Sequence, residues 1–315
     1  METRQSWKAW IYLAPVLILL AVFTFYPFFN TILLSFLDGY TTTAATAAAR
    51  KGISMFSRFS FGVDNYVQVV KGNASFAEGL INTLIITVVT VPLSTILGLL
   101  IAISLNSIKP LKKVFQTIFF LPYVTNAIAI GMVFAMMFNV VGTISNPTDI
   151  GIANRVLGLF GINAQEWISI GAPKFNKMFV LCFYIIWNAL PFKILIFVGA
   201  LQSVNKQYYD AAKVDGASRF RIFRKVTVPL ISPMILYVVI TGVIGSFKEY
   251  TSVVGIFGED LSLYGMSTMV GFVYDSLTSS NGQTGRAAAG AIILFLIILL
   301  ATGIQFLVSK KRVHY

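Results

Sequence analysis

The chain of 315 residues carries 57% hydrophobic and only 11% charged side chains, with a mean hydropathy of +0.79 and a formal net charge of +12. Soluble domains use about 25% charged residues, so this composition excludes an ordinary soluble enzyme or nucleic-acid-binding domain, and its apolar content excludes disorder. A single cysteine, Cys182, excludes an internal disulfide and a thiolate metal cluster, and the single histidine is His314. The composition is that of an integral membrane protein.

A helix needs roughly 20 apolar residues to cross the hydrocarbon core. Six runs meet that length: 9–37, 79–106, 114–138, 177–202, 230–257 and 286–308. The first follows Arg4 and Lys8, but it is too long for a signal peptide and no small-residue cleavage site follows, so it reads as a retained helix. The segment after it, 38–78, contains TTTAATAAARKG, small residues with little reason to pack. Asn126 in the third run reads as an interhelical hydrogen bond. In the loop 139–176, Leu157, Leu159, Phe160 and Ile162 predict an interfacial helix. The fourth run holds Trp187, Asn188, Phe192 and Lys193, and the fifth holds Ser246, Lys248, Glu249 and Tyr250. The loop 258–285 ends in SLTSSNGQTG. Prolines 15, 27, 92, 122 and 191 lie within these runs or at their ends, which membrane helices tolerate where neighbours satisfy the freed carbonyls.

Charge sets the orientation. With the N-terminus inside, the inner segments carry Arg4 and Lys8, then Lys109, Lys112 and Lys113, then the cations of 206–225, then Lys310, Lys311 and Arg312. The outer segments are longer and carry fewer cations. Both termini are therefore predicted to be cytoplasmic, with the basic excess lying against anionic lipid headgroups.

The connection between the fourth and fifth runs, NKQYYDAAKVDGASRFRIFRKVTVPLISP, is polar yet patterned. Tyr208, Ala211, Ala212 and Val214 fall near helical spacing. Gly216 follows where a helix ends in a left-handed residue, and Ser218 can cap a second short helix. Phe220, Ile222, Phe223 and Val226 give that helix an apolar side opposite Arg219, Arg221, Arg224 and Lys225. Two readings fit this bracket: a protrusion that fills a partner's groove, and a basic hairpin lying on lipid.

The run DAAKVDGASRFRIFRKVTVPL resembles the cytoplasmic loop motif of the inner-membrane permease subunits of bacterial ABC importers. Ala211, Ala212, Asp215, Gly216, Ala217, Phe223, Pro229 and Leu230 fit that motif. Asp210 stands where the motif has glutamate, and VPL stands where LPL is common. The preceding WNALPFKILIFVGALQSVNKQYY and the opening YLAPVLILLAVFTFYPFFNTILLSF are similar to the carbohydrate branch, of maltose and oligosaccharide type. The resemblance covers nearly the whole chain. It implies a single all-α transmembrane domain of the type I importer kind over 1–315, with six membrane helices and a cytoplasmic coupling loop at 205–229.

The resemblance also implies the partners. Asp210, Ala211, Ala212, Asp215, Gly216 and Ala217 would dock on separate ATPase subunits, which use ATP and Mg; this chain binds no cofactor or metal and is no enzyme. A second homologous permease, an extracytoplasmic solute-binding protein and a sugar, most simply an oligosaccharide, complete the set, with membrane lipid around it and no nucleic acid. Consistently, the chain has no G-x-x-x-x-G-K-[ST] phosphate loop, no H-E-x-x-H and no G-x-S-x-G. Matching by distance from the loop motif brings substrate contacts to Asn188, Ala189 and Phe192, and to Gly242, Ser246, Glu249 and Thr251. Lys193 and Lys248 join them as ionisable groups inside apolar runs; structural ion pairs among Lys193, Lys248 and Glu249 are the other reading. Glycerol phosphate or an acidic saccharide stays open as substrate, and an ion-coupled secondary transporter stays open as a different class.

Overall fold

The computed structural model describes residues 6–54, 58–108, 112–143, 146–280 and 282–309. Arg4, Lys109, Lys310, Lys311, Arg312 and His314 lie outside the described residues, as do the side chains of Lys112 and Lys113.

The first apolar run folds as α1 (Ser6–Leu20), a π-helical turn (Ala21–Phe25) and α2 (Tyr26–Ser35). The wide turn has a local cause. Pro27 has no N–H to give and its ring crowds the preceding turn. The Tyr26 N–H bonds back five residues to Ala21 O, which loosens the helix just ahead of the ring. The most apolar window of Trp7–Ser35 buries nothing inside the chain.

The alanine-rich stretch that reads as having little reason to pack is a helix, α3 (Thr42–Arg50). Alanine is the strongest helix former, Thr41 Oγ1 caps the helix by accepting from Ala44 N at 3.2 Å, and Ala48 is buried. Next come α4 (Asp64–Gly72) and the long α5 (Ala74–Ser107).

The 114–138 run is two helices, α6 (Lys112–Val124) and α7 (Ala127–Phe138). Asn126 makes the break. Its Oδ1 accepts from Ile128 N at 2.9 Å and Ala129 N at 3.3 Å, so it is an N-cap and not the interhelical hydrogen bond expected from sequence. The buried Tyr184 hydroxyl donates to Ala127 O at 2.6 Å and ties the break to the next long helix.

The loop 139–176 holds, beside its helix, a short antiparallel hairpin, β1 (Val140–Thr143) and β2 (Asn146–Ile150). The β-branched residues at Val140, Val141 and Thr143 favour it. The helix α8 (Ile152–Leu159) follows, and the return is latched by Asn154. Buried Asn154 accepts from Gln165 N and Trp167 Nε1 at 3.0 Å each, and donates to Gln165 O at 3.0 Å.

The fourth run is α9 (Lys174–Ser203), and the bracket is α10 (Lys206–Val214) and α11 (Arg219–Ile222). A second π-turn (Phe223–Thr227) leads into α12 (Val228–Leu230), again just ahead of a proline, Pro229. The fifth run divides into α13 (Ser232–Phe247) and α14 (Thr251–Phe257), followed by α15 (Met269–Thr278) and α16 (Thr284–Ser309).

Among the described residues, four helices are long and apolar enough to cross a membrane: Trp7–Ser35, Ala74–Ser107, Lys174–Ser203 and Thr284–Ser309. A fifth exists if Arg219–Leu230 and Ser232–Phe247, bent by 69°, form one span.

The contacts group the chain into two units. One comprises Met1–Ala77 and Phe272–Leu296. There the buried Asn65 donates to Ser35 O at 3.1 Å and Leu37 O at 2.8 Å, and Arg286 Nη2 donates to Gln68 Oε1 at 2.7 Å. The other comprises Glu78–Gly271 and Ile297–Tyr315. Its core includes Ile86, Phe134, Tyr184, Val253 and Phe257, with the sole cysteine, Cys182, buried among them. There α7 crosses α14 at paired glycines: a Cβ on Gly131 would lie 2.8 Å from Gly255 Cα.

Candidate functional site

Within the second unit, α5, α6, α9 and α13 enclose a cavity of about 330 Å³. The ends of its wall are set by the break in the fifth run. The helix α13 stops at Phe247, and Glu249 N still bonds back to Ser246 O at 3.2 Å. Glu249 then turns to the next helix, its Oε1 accepting from Ser252 N at 3.1 Å near the start of α14. This places one carboxylate in the wall at a helix break.

The α9 face contributes Asn188, Ala189, Phe192 and Lys193, and α13 contributes Thr241, Gly242 and Ser246. Phe192 stacks on Tyr123 of α6, with ring centroids 6.0 Å apart and planes 18° from parallel. Thr90 and Ser94 of α5 and Ser252 of α14 add hydroxyls.

Lys193 is buried, and its surroundings account for it. The ammonium donates to Ser94 Oγ at 2.6 Å, Thr95 Oγ1 at 3.0 Å and Val91 O at 3.3 Å. Those are three acceptors for three protons. Ser94 and Thr95 send their own protons back along α5, to Thr90 O and Val91 O respectively, which leaves lone pairs for the lysine. Gly98 makes room for the approach: a Cβ there would lie 3.0 Å from Lys193 Cβ. Lys193 thus joins α9 to α5 through neutral acceptors and, among the described residues, makes no ion pair.

Of the residues expected from sequence to line a site, the structure brings together Asn188, Ala189, Phe192, Lys193, Gly242, Ser246 and Glu249. Lys248 and Thr251 are exposed and stand outside the wall, because α13 has ended and the chain has turned between them. The ion-pair reading of Lys193, Lys248 and Glu249 finds no pair among the described residues. Trp187 packs on Phe134, with centroids 5.3 Å apart, rather than facing this cavity. Thr90, Ser94, Tyr123, Thr241 and Ser252 were missed; no signal in the sequence separates a cavity hydroxyl from one bonded to its own helix.

The bracket has the geometry its sequence predicts. Asn205 caps α10 by accepting from Gln207 N at 2.9 Å. Gly216 sits at φ +69°, with Ala217 N bonded to Ala212 O at 3.0 Å. Ser218 caps α11 through Arg221 N at 3.3 Å. Val214 and Phe220 are 87% and 71% exposed, so the bracket shows large apolar side chains to its surroundings.

Residues 74–314 match the family described as binding-protein-dependent transport system inner membrane component. The chain belongs to that family. It is a multi-pass inner membrane transport component, not an enzyme. The arabinooligosaccharides transport system permease protein AraP of Halalkalibacterium halodurans is 28% identical over 299 residues, covering 94% of this chain and 86% of the relative. The lactose transport system permease protein LacF of Rhizobium radiobacter is 28% identical over 309 residues, covering 97% and 95%. A bacterial alginate ABC transporter, solved with its alginate pentasaccharide-bound periplasmic protein, contains a chain that superposes with a TM-score of 0.74 at 18% identity, covering 98% of this chain and 96% of that one. That likeness is one of fold. In this inner membrane component the stretch matched to the family takes in both the cavity and the bracket.

Proposed function

We propose that the chain is one of two permease subunits of an ATP-driven importer for a neutral oligosaccharide. The observation that carries the substrate class is the cavity wall. It offers an amide, several hydroxyls, a carboxylate and a stacked aromatic pair, which is the mixture of hydrogen-bonding groups and ring faces that a sugar requires. The one ammonium in it already gives its protons to Ser94, Thr95 and Val91. The named activities of the arabinooligosaccharide and lactose relatives support the same class.

Coupling is assigned to the loop 205–229. Asp210, Ala211, Ala212, Asp215, Gly216 and Ala217 form the surface that docks on a separate ATPase, with Val214 and Phe220 as exposed apolar anchors. ATP-driven closure of the ATPase pair then moves the helices between inward-facing and outward-facing arrangements, and an extracytoplasmic binding protein delivers the sugar. Six spans with both termini inside belong to the same reading, the helix pairs α6–α7 and α13–α14 each crossing as a broken span. The test is uptake by proteoliposomes that contain the chain with its co-expressed permease, ATPase and binding protein. Labelled lactose and arabinotriose are the probes. ATP-dependent uptake of either is expected, and accumulation driven by an ion gradient without nucleotide would overturn the reading.

A further inference from the structure

Where the two longest spans of the second unit end, a separate cavity of about 430 Å³ opens beside the bracket. Its apolar wall includes Ile103 in the last turns of α5, Leu201 in the last turn of α9, and Ile222 and Phe223 beyond Ser218. Its cations are Lys213 and Arg219. Arg219 is exposed and has no ion-pair partner among the described residues. Among the described residues Lys213 reaches only Asp210, at 3.5 Å with both side chains more than half exposed, a pairing worth little in water.

We propose that this cavity is a binding site for one anionic phospholipid. The guanidinium and ammonium hold the headgroup phosphate, and the apolar wall takes the first methylenes of an acyl chain. Three features select this ligand. Among the described residues no acceptor takes an Arg219 guanidinium proton, and guanidinium pairs with phosphate through two parallel hydrogen bonds. A neutral lipid would leave both cations unmatched. A soluble phosphate would leave the wall formed by Ile103, Leu201, Ile222 and Phe223 without contacts. The position fits as well, since helices that cross the hydrocarbon end at headgroup level, where the cytoplasmic leaflet carries its anionic lipids. The inference rests on the bracket facing that leaflet. It ties lipid composition to the geometry of the bracket, because Lys213 lies on α10 and Arg219 on α11, on either side of the Gly216 turn.

The experiment uses the full chain in neutral detergent and needs neither ATPase nor sugar, so its failure is separate from failure of the coupling reading. Native mass spectrometry counts phosphatidylglycerol retained by wild type, by Lys213→Gln, by Arg219→Gln, by the double variant and by Arg219→Lys. Phosphatidylcholine is the neutral control and glycerol 3-phosphate the acyl-free competitor. The expected result is one phosphatidylglycerol held by wild type and weakened about fivefold for each cation removed. Arg219→Lys should retain most of it, and phosphatidylcholine should not distinguish the variants. Both substituted residues are exposed, so the fold is expected to survive. Equal retention of phosphatidylglycerol by wild type and double variant would overturn the proposal. So would its displacement by an equal concentration of glycerol 3-phosphate, which would mark a site for soluble phosphates.

Discussion

Lys193 shows how one side chain changes meaning between sequence and structure. Read along the chain, a lysine inside an apolar run is a candidate for binding an anionic substrate. In the fold its three protons go to Ser94, Thr95 and Val91, so it is a strut between α9 and α5. Lys193→Met is therefore expected to lower uptake of neutral and anionic saccharides by a similar factor. Transport assays on both classes check this, and selective loss of the anionic one would show that the ammonium faces the substrate. Asn154 gives a second residue-scale expectation. Asn154→Ala removes three hydrogen bonds made from a buried position and leaves the half-buried Trp167 indole and the Gln165 backbone without them, at about 1–3 kcal/mol in all. Hydrogen exchange at 163–167 should rise while the bracket is unaffected.

At the scale of elements, the apolar runs were legible because each exceeds the length that a bilayer demands, whereas the breaks inside them were not. Hydropathy averages over Thr125 and Asn126 and over Lys248 to Tyr250, although both breaks depend on one polar side chain that satisfies the first N–H groups of the following helix. An Asn within an apolar run can equally bond across helices, and only coordinates separate the two. The alanine stretch failed for a different reason: intrinsic helix propensity needs no amphipathic pattern, so pattern reading passes over it. The crossing of α7 and α14 was also invisible, since Gly131 and Gly255 are far apart in sequence. Gly255→Leu is expected to force the two backbones apart, costing about 1–3 kcal/mol. A lower unfolding midpoint in detergent checks this, while the same change at Gly303, where a Cβ meets nothing within 4 Å, should be near neutral for packing.

For the whole molecule, the cavity and the bracket were both reached from sequence, but by different routes. The bracket's cap, left-handed glycine and second cap are local rules written in consecutive residues, so Gly216 and Ser218 could be read directly. The cavity depends on helices distant in sequence; polar side chains inside apolar runs pointed to Asn188, Lys193, Ser246 and Glu249, whereas Ala189 and Gly242 were reached through the likeness to a family. Its α5 and α6 residues had no such guide. The coupling proposed for the bracket would belong to the entire assembly and not to this chain alone. A Cβ at Gly216 meets nothing within 4 Å among the described residues, so the penalty they impose is strain from the positive φ. Gly216→Asp is accordingly expected to leave the chain in the membrane while abolishing substrate-stimulated ATP hydrolysis by the assembled complex. Normal stimulation would count against the docking role of this turn.

The buried thiol of Cys182 has a practical consequence. A water-borne maleimide finds no native target among the described residues. Pairs of reporter cysteines placed on the bracket and on the β1–β2 hairpin can then carry fluorophores or spin labels in an otherwise unaltered chain, and the distance between them can be followed as ATP and sugar are added to the proposed assembly.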